Sequence, residues 1–436
     1  MNADKIILGK DCAFSTDTKE TGLYNNVIGC GPSGCGKTTS IVEPRLLETF
    51  HDNLFVPVTK RRIVDEYRDL LINRGYKVEE MNFVDPLMST RGFNPLASVK
   101  SDLEIYSLAR AIVLADHGTR TKTIDPYWDN SSAALLTAEI AMVISKLGRK
   151  ATFTDVMDYH NLISVDDSVS DNYITEADSD FAAMKKKNPN SLAVSCWNTF
   201  RSASSKTAGN ILSTLNSTLL TLCVKEIRNF MSANISQFDF KQFAEEKTVL
   251  FLVTSPMNSA LNTFINLFYT LAFRSLFEYA ESCPDGVLPI PVQIICDDFA
   301  TGCRIDEFAQ KISVFGAKRM SVMLMIQSES QLTGLYGEYD ATTILNNCDT
   351  YVYMGGMDLA TCKSISARMN IPLEDVLYMP VGQEFVFRRG SKPIVTTRYN
   401  KRENSHYQEL FTARRRKKVK DPFSILNFSE KESSRI

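Results

Sequence analysis

The run Gly31-Pro32-Ser33-Gly34-Cys35-Gly36-Lys37-Thr38, followed by Thr39, has the spacing GxxxxGK[ST] of a loop that holds nucleotide phosphates. The spacing has a mechanical basis. The chain must wrap a phosphate with successive backbone N–H groups pointing inward, which favours glycine, and the helix that follows presents its positive end. Lys37 is expected to reach the β- and γ-phosphates, and the Thr38 hydroxyl to coordinate Mg²⁺. Such a loop needs an acid at the end of a neighbouring strand. Val292-Gln293-Ile294-Ile295-Cys296-Asp297-Asp298 supplies two. Asp297 is expected to act with Thr38 at the magnesium, through its outer sphere, and Asp298 to orient or deprotonate the attacking water. Read alone, the same run is an ordinary acidic turn. Gln327, after the apolar run 321–326, is placed to sense the γ-phosphate or position water. Lys318 and Arg319 precede that run. In a ring of subunits Arg319 would reach a neighbour's nucleotide as an arginine finger; otherwise the pair is a solvated basic helix end.

These residues need a sheet to place them. Short apolar, β-rich runs occur at 26–30, 54–58, 78–83, 249–253, 292–296, 321–326, 350–353 and 384–387, with helical patterns between them, including 39–48, 258–280 and 306–318. Strand–helix alternation of this kind predicts an α/β fold with a mostly parallel, twisted sheet. The middle of the chain differs. From 101 to 230 the periodicity is helical, as at 103–114, 128–147 and 205–230, and the acidic, Ser-rich stretch 166–180 reads as a loop. The expected organisation is a nucleotide-binding domain in two parts, 1–100 and 231–412, with an all-α insertion at 101–230 and a basic tail at 413–436. The apolar stretch 249–280 carries a Thr-Ser-Pro break and several asparagines, so it reads as a buried strand and a core helix rather than a membrane span.

Composition narrows the classes. The chain has 436 residues, 44% of them hydrophobic, and a formal net charge of -2. With no global excess of basic charge, contact with nucleic acid must come from a local patch, for which Lys185-Lys186-Lys187 and residues 414–418 are candidates. The ten cysteines show no CxxC pair and the four histidines are scattered, so reduced thiols are expected and neither a zinc site nor a disulfide framework.

Taken in order, the motifs resemble the type IV secretion coupling proteins, the ATPases that feed relaxase-bound DNA into conjugation channels. The pieces are Asn25-Asn26-Val27-Ile28 before the loop, Glu43-Pro44 after it, Arg74-Gly75-Tyr76-Lys77-Val78, Phe93-Asn94-Pro95-Leu96, Asp125-Pro126-Tyr127-Trp128-Asp129 opening a helix, and Ser205-Lys206-Thr207. Then come Asp297-Asp298-Phe299-Ala300, Gln327-Ser328-Glu329-Ser330-Gln331-Leu332 before Leu335-Tyr336-Gly337, and Asn346-Asn347-Cys348-Asp349 before Gly355-Gly356. The resemblance implies a RecA-like P-loop NTPase with an inserted all-α domain, ATP and Mg²⁺ as cofactors, a homo-hexameric ring with DNA in its pore, and relaxase or accessory proteins met by the inserted domain. It also implies a cytoplasmic place at the inner face of the cell membrane.

The chain departs from the family pattern at three points. Family members begin with transmembrane helices. This chain shows none at its start, so a soluble branch docking on a separate membrane subunit, or a shortened chain, is expected. The family's Asp-Pro-Lys-Gly-Glu is here Val58-Thr59-Lys60-Arg61-Arg62, where Lys60 aligns and the acids are missing. Asp298 stands where glutamate is usual, one methylene shorter. The last two departures keep a second reading open, a nucleotide-binding recruitment platform that hydrolyses little; another hexameric DNA translocase is a third.

Overall fold

The structure is a computed structural model that describes residues 3–115, 125–165, 175–220, 222–232, 235–255, 261–299 and 304–412. A short hairpin opens the chain, β1 (Lys5–Gly9) and β2 (Cys12–Ser15), turned at Asp11. The remaining strands form one sheet: β3 (Val27–Cys30), β4 (Asn53–Val58), β5 (Lys77–Asn82), β6 (Thr248–Val253), β7 (Val292–Cys296), β8 (Met320–Ile326), β9 (Thr350–Tyr353), β10 (Gln383–Arg388) and β11 (Ile394–Thr397). Their spatial order is β11-β10-β9-β3-β8-β7-β4-β6-β5. From β9 to β5 every pairing is parallel, and β10 and β11 add an antiparallel edge. Strands β3, β4, β6, β7 and β8 are buried along their whole length, which explains why they read as unbroken apolar runs rather than alternating ones. The hairpin and β11 are short and partly exposed, and carry no comparable signal.

Both faces of the sheet are covered. On one, the helix Asn262–Ser282 buries Phe264, Phe268 and Phe273 at helical spacing. Phe268 packs edge-on against Phe55 of β4 and against Phe93, at centroid distances of 5.8 and 4.8 Å. Each such buried ring contributes about 1.5–3 kcal/mol relative to an exposed one. On the other face lie the segment after the glycine-rich loop and the helix Arg62–Asn73, whose Ile63, Val64, Tyr67, Leu70 and Leu71 form its buried stripe.

Between β5 and β6 the described chain is helical: Asp102–Ala115, Pro126–Leu147, Phe153–His160, Glu176–Lys187, Leu192–Arg201, Ser205–Leu219 and Lys225–Met231. Asp125 caps the long helix by accepting from the Tyr127 amide, as the Asp-Pro opening predicts. The stretch expected as a loop to residue 180 is corrected here. Thr175 and Asp178 form a capping box that starts a helix at Glu176, while 166–174 lies outside the described residues. The helix expected over 205–230 breaks into two around 220–224. Pro126–Lys150 is long and apolar enough to cross a membrane, but more than half of its apolar window is buried within the fold. The helical segment shares one hydrophobic core with the sheet. Asn94 ties the two together, donating to the Ala151 carbonyl at 3.0 Å and accepting from the Phe153 amide at 3.0 Å.

Candidate functional site

β3 ends at Cys30 and delivers the loop to the carboxyl edge of the sheet, where parallel α/β folds bind ligands. The Gly31 amide donates to the Ile326 carbonyl of β8 at 3.1 Å, so the loop starts pinned to its neighbour. A Cβ on Gly31 would stand 2.7 Å from Cys35 Sγ and 3.0 Å from Met354 Cβ, so a side chain there would displace Cys35. Gly34 (φ 78°) and Gly36 (φ 97°) take left-handed backbone that side chains disfavour. Pro32, Ser33 and Gly34 are exposed at the tip, and Cys35 is buried beneath it.

The segment after the loop departs from the expected α-helix. Thr38–Val42 is a wide π turn, with the Glu43 amide donating to the Thr38 carbonyl, and Glu43–Leu47 continues as α-helix. Pro44 accounts for the change, because it has no N–H to offer the carbonyl four residues back. Thr39 Oγ1 donates to the Gly36 carbonyl at 3.2 Å. Lys37 is 7% exposed, and its Nζ donates to the carbonyls of Gly31 (2.5 Å) and Pro32 (3.0 Å). The ammonium is thus held inside the loop.

The strand order β3-β8-β7 brings Asp297 to Thr38 across 259 residues of sequence. Thr38 Oγ1 donates to Asp297 Oδ1 at 2.6 Å. Asp297 Oδ2 is buried and finds no hydrogen-bond partner among the described residues. Burial pushes the Asp297 carboxyl up from its ordinary range; the Thr38 hydrogen bond opposes this, the Asp298 charge adds to it, and Lys60 and Lys37 oppose it. A buried carboxylate with one idle oxygen, next to a threonine hydroxyl, fits a hard divalent cation with oxygen ligands. The residues present therefore suit Mg²⁺.

Asp298 accepts from Thr59 Oγ1 at 3.4 Å and lines a cavity of about 60 Å³ walled also by Pro57, Thr254, Asn262 and Tyr269. That volume holds a few water molecules. Gln327 follows β8, between β3 and β7, with its amide donating to Gln331 Oε1 at 3.1 Å and its carbonyl beside Cys30 Sγ. It therefore stands at the rim of the loop.

Arg319 is not brought to this site. It precedes β8 at the opposite edge of the sheet, in left-handed backbone, with Nη1 donating to the carbonyls of Leu288 (3.1 Å) and Pro289 (3.0 Å). A finger role within its own chain is excluded by that position, and only a neighbour's pocket remains open to it. The altered run after β4 also resolves. Arg61 pairs with Glu80 and Arg62 with Glu43, and of the three cations it is Lys60 whose charge acts on Asp297. Thr59 went unnoticed in the sequence because a lone threonine after a strand carries no signal until the acid opposite is placed. Lys185-Lys186-Lys187 end the exposed side of their helix, and residues 414–418 lie outside the described residues.

The comparisons with known proteins agree with this geometry. The sequence model of the family described as "Type IV secretory system Conjugative DNA transfer" matches residues 2–370. No curated protein sequence matches the chain. Among solved structures, the plasmid coupling protein TrwB in complex with ADP and Mg²⁺ superposes with a TM-score of 0.65 at 17% identity, covering 90% of this chain and 88% of that one. TrwB with a non-hydrolysable ATP analogue gives 0.63 at 17% identity, with 86% and 85% covered. VirB4 of Thermoanaerobacter pseudethanolicus gives 0.54 at 12% identity, with 93% and 98% covered. At these identities the likeness speaks for the fold, a RecA-like α/β architecture, and the match over most of the sequence speaks for descent: the chain belongs to the type IV secretory system conjugative DNA transfer family.

Proposed function

We propose that this chain is the ATP-hydrolysing coupling protein of a conjugation system, which recruits relaxase-bound, single-stranded DNA and drives it into a type IV secretion channel. The observation that carries the reading is the contact between Thr38 and Asp297 with the second Asp297 oxygen idle, beside the enclosed Lys37 ammonium. Bound ATP supplies the phosphoanhydride to be cleaved and Mg²⁺ the charge that offsets its oxygens. The chain's own residues do the rest. The loop of residues 31–39 would hold the phosphates by its backbone amides, Gly31 and Pro32 excepted, Lys37 would reach toward the β- and γ-phosphates, and Thr38 and Asp297 would hold the cation. Asp298 orients water from the cavity it lines, and Gln327 watches the γ-phosphate from the rim. TrwB, crystallised with ADP and Mg²⁺ and with an ATP analogue on the same fold, supports the choice of cofactors.

In this reading the motor is formed by 1–100 and 231–412, and the helical insertion 101–230 meets the relaxase and accessory proteins. The working form is a homo-hexamer at the inner face of the membrane, engaged with a separate membrane subunit or the channel. Arg319 then serves only a neighbour. Steady-state phosphate release by the purified chain, with and without single-stranded DNA, tests the proposal. Stimulation by DNA is expected. A verified hexamer that binds nucleotide but shows no stimulated turnover would favour the recruitment platform, which the short Asp298 side chain keeps in play.

A further inference from the structure

The antiparallel edge of the sheet places one more cation at the loop. Because β10 runs against β9 and β11 against β10, the end of β11 returns to the same edge as the loop; Thr397 pairs with Gln383. Arg398 is the next residue. Its amide donates to the Gly382 carbonyl at 2.8 Å, while the Thr397 carbonyl accepts from the Lys10 amide at 2.8 Å, so the backbone is held from both sides. The side chain lies over the loop's last glycine: a Cβ on Gly36 would be 3.5 Å from Arg398 Cδ and 3.6 Å from Thr39 Oγ1. The following segment is fastened to the helix that leaves the loop and to the end of the helix Arg62–Asn73. Lys401 pairs with Glu43, Asn404 donates to Glu48 Oε1 at 2.8 Å, and Glu409 meets Arg74 at 2.9 Å.

Within this well-paired segment Arg398 is the exception. Its Nε is shielded from solvent and has no hydrogen-bond partner among the described residues, and no carboxylate there lies within ion-pair distance of its guanidinium. The acid that feels its charge is Glu384, which is buried with both oxygens unpartnered. Burial pushes the Glu384 carboxyl up to about 7, against the pull of Arg398, so it is a poor counter-ion near neutral pH. A partly desolvated guanidinium without a partner is costly to keep, and its planar fork suits phosphate oxygens. The part of the loop it overlies, Gly36 to Thr39, is the part whose amides cradle the α- and β-phosphates.

We propose that Arg398 is a nucleotide-binding residue of its own chain, contacting the α- and β-phosphates from the side of the loop opposite Asp297. Lys37 and Arg398 then flank the polyphosphate, one from within the loop and one from the edge strands. The inference rests on the reading that this loop binds a magnesium nucleotide.

The test is calorimetric binding of MgADP and of the magnesium complex of a non-hydrolysable ATP analogue to the full chain, native and with Arg398→Ala, Arg398→Gln and Arg398→Lys. Arg398→Ala and Arg398→Gln are expected to weaken both nucleotides alike by about tenfold or more, the effect of losing one charge-assisted contact. Arg398→Lys should recover part of that loss. Nucleotide-free melting should be unchanged or raised, while the upward shift of melting by MgADP shrinks. Arg398→Gln keeps the stem over Gly36, so it decides the question even if Arg398→Ala folds poorly. Binding of MgADP within about twofold of native would overturn the inference while leaving the nucleotide reading intact. A loss confined to the ATP analogue would overturn the α/β placement. A native chain that binds no MgADP would overturn the nucleotide reading, and this inference with it.

Discussion

The segment Thr38–Leu47 and strand β7 beside it are joined at both ends by buried polar groups, and the two joints are built differently. At the start of the strand, Arg45 is fully buried and each of its guanidinium nitrogens is engaged. Nε donates to Gln293 Oε1 at 2.6 Å, Nη1 to Thr49 Oγ1 at 3.2 Å and Asp4 Oδ2 at 3.3 Å, and Nη2 to Asp52 Oδ2 at 2.7 Å. Asp4 also accepts from the amides of Phe50, His51 and Asp52. Burial alone would raise the Asp4 carboxyl; the Arg45 charge and these donors hold it below its ordinary value. At the other end, Thr38 meets Asp297 through one oxygen and the second is idle. A buried charged group completed by its own chain is architecture. One left incomplete is retained where something from outside completes it.

If that distinction is right, the two ends should fail in opposite ways. Lys37→Ala or Asp297→Asn should lower ATP turnover by about 10³ or more, since charge stabilisation of the transferring phosphoryl group is the main catalytic term. Asp297→Asn should leave the nucleotide-free melting temperature unchanged or raised, because it relieves a half-satisfied buried carboxylate. Phosphate release and calorimetry together read both effects, and a large loss of stability in Asp297→Asn would erase the contrast. At the other end Arg45→Met strands Asp4 and Asp52, and should cost about 3–5 kcal/mol of unfolding free energy in urea titrations. The fraction that stays folded should still bind MgADP; turnover lost without instability would mean that Arg45 belongs to the site.

A milder change sharpens the active end. Asp298→Glu restores the longer acid beside the cavity and is expected to maintain or raise turnover. A drop of more than about tenfold would remove Asp298 from the water-positioning role.

The helical segment offers an intermediate case and the smallest effect. His160 contacts Glu139 Oε1 and Asn216 Oδ1, both at 2.9 Å, while Glu139 Oε2 is buried without a partner among the described residues. Burial lowers the imidazole's affinity for protons, but Glu139 and Asn216 more than offset that and hold it above 6.5. Burial likewise raises Glu139. A raised folded-state value means that the stabilisation is full below pH 6.5 and is lost as pH rises through the folded value. Melting of the native chain should therefore fall as pH rises above 6.5, and His160→Gln should flatten that slope. A slope unchanged in the variant would exclude His160 as its source.

Local chemistry determined much of this protein before any fold was known. Glycines at fixed intervals before Lys37 and Thr38 are a backbone requirement, and a strand buried on both faces must read as an apolar run, so the loop, Asp297 and the parallel strands were visible in the sequence itself. Helix caps were visible too, as at Asp125-Pro126, although the capping box at Thr175 was hidden in a polar, acidic stretch. What only the tertiary structure decided is which end of the sheet each cation occupies. Arg319 drew notice in the sequence and Arg398 did not, yet the direction of β8 carries Arg319 away from the loop, and the reversal at β10 and β11 carries Arg398 onto it. Strand direction and order arise from contacts between residues hundreds of positions apart, and no local pattern encodes them.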